Sequence, residues 1–173
     1  MTGSEREVIN AYNSFIEEQK NLAKKEGVKL KATLVLFDHR VETVYSKIPI
    51  NEVNELDNGT YYIGGMTALY DAVGQTINAF KDKKRVIFFI ETDGYENASK
   101  EFYSESLKAL VKQKTDAGWD FDFVGADLDS ATTQSLGSSM GIAKSMAFSK
   151  DDAGYTTRNA SFTLATSAYI KNT

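Results

Sequence analysis

The chain of 173 residues has no cysteine, which removes disulfides, thiolate metal sites and cysteine nucleophiles at once. It has a single histidine, His39. A Ser/His/Asp triad would have to recruit that residue from a turn, and no Gly-x-Ser-x-Gly elbow accompanies it. Neither Gly-x-Gly-x-x-Gly nor a Walker-type Gly-Lys-Ser/Thr is present, so a phosphate cradle lacks its glycines. No apolar run approaches the roughly 18 residues of a membrane span. The opening residues 1–7 are too polar for a signal peptide. A net charge of −4 provides no basic surface for nucleic acid or anionic lipid. These absences lead us to expect a cytoplasmic protein, without enzyme activity and without nucleic acid or membrane as partner.

What is present is ordinary globular composition, 42% apolar and 25% charged, enough for one domain (1–173) with a real core. Ser4 and Glu7 make a capping-box pattern, and Val8, Ile9, Tyr12, Phe15, Ile16 and Leu22 then recur as a helical stripe. Glu26-Gly27 closes that helix, behind Lys24 and Lys25 at its negative end. The dense apolar run 30–37 predicts a strand covered on both faces. Asp38-His39-Arg40 is a turn ordered by the Asp38 side chain, and 41–48 is a hairpin-paired strand ended by Pro49, the only proline.

Asn58-Gly59 and Gly64-Gly65 punctuate a loop, after which Leu69, Ala72, Val73, Ile77 and Phe80 mark one face of a helix. The clearest buried strand is 85–90, running into Glu91-Thr92-Asp93-Gly94. A helix over about 100–115, a strand 121–126, a short helix 131–136, a short strand 145–148 and a helix 152–169 complete the series. The last helix is rich in Thr, Ser and Ala, a composition of which the first two form helices weakly. Helices alternating with apolar strands predict an α/β fold: three layers, with a mostly parallel, doubly wound, Rossmann-like sheet and one antiparallel edge strand.

Two segments carry more than fold. Gly64-Gly65-Met66-Thr67-Ala68-Leu69-Tyr70-Asp71-Ala72 and Ile87-Phe88-Phe89-Ile90-Glu91-Thr92-Asp93-Gly94 together resemble the von Willebrand factor A-type domain, the fold also used by integrin ligand-binding domains. The resemblance extends through the first helix, the 30–48 hairpin, Glu96-Asn97-Ala98-Ser99 and Phe123-Val124-Gly125-Ala126, nearly the whole chain. It implies a protein-binding module with a metal-ion-dependent adhesion site, where oxygen ligands from three loops hold Mg²⁺: an Asp-x-Ser-x-Ser motif, a Thr and an Asp. By that resemblance Thr67 gives its hydroxyl and Asp93 its carboxylate. A partner protein completes the shell with an acidic side chain, against a surface formed by Gly64, Gly65, Met66, Gly94, Tyr95, Glu96 and Asn97.

The chain departs from the pattern at its front. A doubly wound sheet normally opens on a strand, whereas this sequence opens on a helix cap, where the Asp-x-Ser-x-Ser loop should just have finished. The expectation is therefore an incomplete metal site and a missing first central strand. Either the start is displaced, which we favour because the remaining motifs are undegraded, or the strand is absent by nature. Thr2 and Ser4 have the hydroxyl spacing of the two serines, but no aspartate precedes them. Mg²⁺ is expected to bind a full-length form and to bind this chain weakly or undetectably. Unpaired strand edges would be costly, so the flanking strands should close on each other or be filled by a second copy, unless the chain folds poorly.

Two other functions were weighed. One is a metal-independent assembly subunit that oligomerises, as a homodimer for instance, through its sheet edges. The other is a phosphohydrolase using Asp120-x-Asp122, disfavoured because both aspartates begin a strand rather than follow one. Asp71 and Glu96 read as a helix-first-turn acid and a solvated loop acid, Trp119 as packing, and Lys81-Asp82-Lys83-Lys84-Arg85 as a solvated connection.

Overall fold

The computed structural model describes residues 3–61 and 64–172. The side chains of Gly3 and Ser4 fall outside this description, as does Thr2, so the capping box and the serine mimicry lie outside the described residues. Contacts group the chain into two compact units, one of 1–36, 42–63 and 150–173, the other of 37–41 and 64–149.

Among the described residues, the first unit holds two α-helices, a hairpin and a short 3-10 turn at Ile50–Glu52. Helix α1 (Gly3–Glu26) carries the anticipated stripe, and Ile16 and Ala23 join Ile50 and Val53 in a small core. Strands β1 (Lys31–Phe37) and β2 (Val41–Pro49) form a two-stranded sheet, antiparallel because only three residues join them. No residue of β1 is fully buried, so the expectation of a strand covered on both faces does not hold. Its one partner in the sheet is β2, and a strand at a sheet edge cannot be enclosed as a central one is.

Helix α5 (Asp152–Lys171) forms despite its composition. Asp151 caps it by accepting from Gly154 N–H at 2.7 Å. Thr156, Thr157 and Thr166 return their hydroxyls to the carbonyls four residues earlier, which satisfies them without leaving the helix. Phe162 meets Phe15 edge-on at 5.8 Å, and Asn159 donates to the Ala11 carbonyl at 3.0 Å, tying α5 to α1.

The second unit is α/β in the strict sense. Strands β3 (Ile87–Thr92), β4 (Asp120–Ala126) and β5 (Lys144–Phe148) form a parallel sheet in that order, joined through α3 (Ser104–Asp116) and α4 (Ser130–Ser139). With α2 (Leu69–Ala79), these elements bury Leu69, Val73, Ile77, Ile90, Leu107, Val111, Phe121 and Phe123. Among the described residues, β1 and β3 are assigned to separate sheets.

Three boundaries move for identifiable reasons. β3 starts at Ile87 rather than Arg85, because its pairing with β4 begins at Ile87 opposite Asp120. α3 starts at Ser104 rather than Lys100, because the amides of Lys100, Glu101 and Phe102 are bonded to the Asp71 carboxylate. α4 starts at Ser130 rather than Ala131 because Asp129 caps it, accepting from Thr132 N–H at 2.8 Å, and it runs on to Ser139. Trp119 is buried as packing, its indole N–H bonded to the Lys83 carbonyl at 2.8 Å. Among the described residues, no helix is long and apolar enough to cross a membrane.

Candidate functional site

The site is built where three loops of the second unit meet: the turn after β1, the segment leading into α2, and the segment leaving β3. Asp38 anchors the first. Its carboxylate accepts from Arg40 N–H at 2.7 Å, as the turn reading required, and its carbonyl accepts from Ala68 N–H at 2.7 Å. That close approach dictates a glycine upstream: a Cβ on Gly64 would stand 2.3 Å from Asp38 Cβ, inside any tolerable contact. The Arg40 N–H bond holds the buried Asp38 carboxyl below its ordinary value against the opposing effect of burial, helped by the charges of His39 and Arg40. His39 itself is 54% exposed, in keeping with a solvated turn residue.

The second and third loops are zipped together. Thr67 N–H donates to Asn97 Oδ1 at 2.8 Å, and the Thr67 carbonyl accepts from Asn97 N–H and Ala98 N–H at 3.0 and 3.2 Å. Thr67 Oγ1 lies 3.0 Å from where a Cβ on Gly94 would stand, so the hydroxyl faces the residue next to Asp93. Buried Thr92 shapes that turn from below, its hydroxyl accepting from Gly94 N–H at 3.2 Å and donating to the Gly94 carbonyl at 3.1 Å. The two segments singled out in the sequence are therefore neighbours at one end of the sheet.

A reciprocal clamp stiffens the junction. The Ala68 N-cap offers no side-chain bond, leaving the first amides of α2 to find partners elsewhere. Tyr70 N–H donates to Glu96 Oε2 at 2.9 Å and Asp71 N–H to Ser99 Oγ at 3.0 Å. Glu96 also accepts from Ala98 N–H, Ser99 N–H and Ser99 Oγ, so the solvated-acid reading of Glu96 is corrected. In return Asp71 sends its carboxylate to the amides of Lys100, Glu101 and Phe102 at 2.8 to 2.9 Å. Burial acts most strongly on Asp71, in the upward direction. The three N–H bonds and the Lys100 charge together outweigh it and leave the carboxyl below its ordinary value. Asp71 is thus a structural clamp as well as a first-turn acid. The sequence reading had the first-turn acid at Asp71 and missed the clamp that Asp71 and Glu96 form. Only the Glu96-x-x-Ser99 spacing, a local acceptor placed ahead of its donor, carried a hint.

The outward side of the same loops is different. Gly64, Gly65, Asp93 and Asn97 are exposed. Met66 is 50% exposed and Tyr95 61%, two of the few large hydrophobic side chains left in solvent. Glu96 and Asn97 are directed to backbone partners, while Met66 and Tyr95 are the large hydrophobic side chains this surface exposes.

The metal implied by the family resemblance can be tested against this donor set. Mg²⁺ prefers near-octahedral oxygen coordination and is usually held by one or two carboxylates with waters. Thr67 and Asp93 supply one hydroxyl and one carboxylate, and the acids beside them, Asp38, Asp71 and Glu96, have bonded oxygens to backbone amides. Among the described residues no group of three His, Cys, Asp or Glu is arranged to hold a cation. The residues present do not by themselves fit a dedicated Mg²⁺ site.

At the other end of β4, Lys144 Nζ bridges both oxygens of Asp120 at 2.6 and 2.7 Å. Asp122 keeps one carboxylate oxygen buried without a hydrogen-bond partner, and desolvation pushes its carboxyl up, with Asp120 adding to the effect and Lys144 opposing it. The pair sits at the start of the strand, away from the loops that follow the sheet's carboxyl edge. Comparison with protein-family models and with curated proteins matches nothing to this chain.

Proposed function

We propose that this chain is a protein-binding module of the von Willebrand factor A type, doubly wound and Rossmann-like, with its first central strand missing. Its partner face is formed by residues 64–67 and 93–97. The observation that carries the reading is the zipping of Thr67 to Asn97 and its approach to Gly94, two loops 30 residues apart in sequence that had been paired only by resemblance. Exposed Met66 and Tyr95 beside them support a binding role, since aromatic and methionine side chains are enriched at interfaces. The partner is a protein offering an acidic side chain. Mg²⁺ takes part only where an Asp-x-Ser-x-Ser loop joins Thr67 and Asp93. The reading assigns no catalysis and a cytoplasmic location.

The experiment is affinity capture with the wild type and with a Met66→Ser/Tyr95→Ser double variant, each checked for an unchanged circular dichroism melt. Partners held by the wild type and released by the variant support the reading; partners held equally by both overturn the assigned face. Calorimetric titration with MgCl₂ should give no micromolar affinity for this chain, and such an affinity would show that the ligand set has been misjudged. A second reading, a metal-independent assembly subunit, draws on the half-buried apolar residues of β1 and on β3 as a terminal strand. Light scattering that shows a stable dimer insensitive to chelator favours it.

A further inference from the structure

Outside the proposed partner face, the turn at residues 57–60 brings together the three groups needed for a spontaneous covalent change. Asn58 is exposed, and among the described residues nothing holds its side-chain amide. Gly59 follows it without a side chain, and a Cβ there would meet only Asp57 Oδ1, at 3.3 Å. The Gly59 N–H donates to that same Asp57 Oδ1 at 2.9 Å. The Asp57 carbonyl accepts from Thr60 N–H at 3.1 Å and Tyr61 N–H at 3.3 Å, and the Asp57 side chain accepts from Thr60 Oγ1 at 3.0 Å, which keeps the carboxylate beside the turn.

We propose that Asn58 is a deamidation site of this protein, with Gly59 as the internal nucleophile and Asp57 as the first acceptor of its proton. The Gly59 nitrogen attacks the side-chain carbonyl carbon of Asn58. The new N–C bond forms, the Cγ–Nδ2 bond breaks, and ammonia leaves carrying the proton that Asp57 has relayed. Water then opens the five-membered imide at either carbonyl, giving an aspartyl or an isoaspartyl link at position 58, with no oxidant or reductant involved. A carboxylate within hydrogen-bond reach of the N–H that must be lost satisfies the geometric requirement for a general base. The absence of a Cβ at Gly59 removes the usual obstruction to the attack.

The rest of the chain supplies contrasts. Asn51 and Asn54 are exposed in the same stretch, but each is followed by a glutamate, whose Cβ crowds the attacking nitrogen. Asn97 is exposed too, yet its Oδ1 is occupied by Thr67 N–H and the following amide, that of Ala98, is bonded to the Thr67 carbonyl and to Glu96. Position 58 lines a groove with Arg6, Glu55 and Asp57, so the change adds a negative charge to a lining that already holds two carboxylates and one arginine.

The test is incubation of the intact chain at mildly alkaline pH, with tryptic mapping of the peptide 48–81, which holds Asn51, Asn54 and Asn58 together. The amide-to-acid mass gain should appear at Asn58 severalfold faster than at Asn51 or Asn54, with isoaspartyl and aspartyl products both present. Gly59→Ala should bring Asn58 down to the rate of its neighbours. Asp57→Ala should slow the folded protein severalfold and leave the urea-unfolded protein unchanged. A rate at Asn58 no higher than at Asn51 and Asn54, a comparison needing no variant, overturns the site. An unchanged or faster folded-state rate in Asp57→Ala overturns the role of the carboxylate.

Discussion

At the loop end of the second unit, Asp38 and Asp71 are buried yet hold their carboxyls below the ordinary value, because backbone N–H groups are aimed at them. At the far end of β4, Asp122 is shifted the opposite way, with desolvation outweighing the opposing Lys144 charge and one oxygen left without a hydrogen bond. The same residue type is anchored at one end and strained at the other. Burial alone decides neither outcome; the supply of donors does. The contrast also separates scaffold from surface around the proposed partner face, since the acids that clamp the loops are already spent and Asp93 is exposed.

The comparison is broken most severely at Asp71. Asp71→Ala strands three amides and should cost about 3 kcal/mol, read as a lower urea midpoint with an unchanged slope. If the loss is below the precision of the melt, the clamp is not structural. Glu96→Ala removes the acceptor of Tyr70, Ala98 and Ser99 and should cost about 2 kcal/mol. It should also speed amide exchange at Tyr70 and Ser99 more than in α3, and exchange raised evenly across the unit would refute the local clamp.

Acid offers a finer probe. The unfolded carboxyls of Asp38 and Asp71 titrate near 3.8 and the folded ones lower, so their contribution is complete above 3.8 and is lost as the pH falls through the folded values. Urea melts from pH 5 downward should show that loss, and Asp71→Asn should lessen its pH dependence. Asp122 behaves inversely. Its folded carboxyl keeps a proton to higher pH than the unfolded chain, so its cost is absent below 3.8 and complete above the folded value. Asp122→Asn should therefore raise stability by a fraction of a kcal/mol at neutral pH and have no such benefit in acid. A loss at neutral pH would mean that the carboxylate has a compensating partner.

Much of the architecture was legible because it rests on local periodicity. The stripe of α1, the apolar run of β3 and the helix carrying Val73 and Ile77 follow from spacing that any water-soluble fold must respect. What escaped were features carried by long-range polar bonds. Nothing in Lys100-Glu101-Phe102 announces that its amides belong to Asp71, so the helix was drawn four residues too early. Glu96 looked like any loop acid, and the half-buried state of β1 contradicts a composition that by itself argues for full enclosure.

The order of elements and the placing of Asn58-Gly59 in a loop were written in the chain, because each depends on neighbours a few residues apart. The approach of Thr67 to Gly94, the reciprocal service of Asp71 and Glu96, and the opposite shifts of Asp71 and Asp122 were decided only by tertiary packing. A carboxylate's energy depends on which amides surround it in space, and one residue's sequence neighbours do not specify those amides.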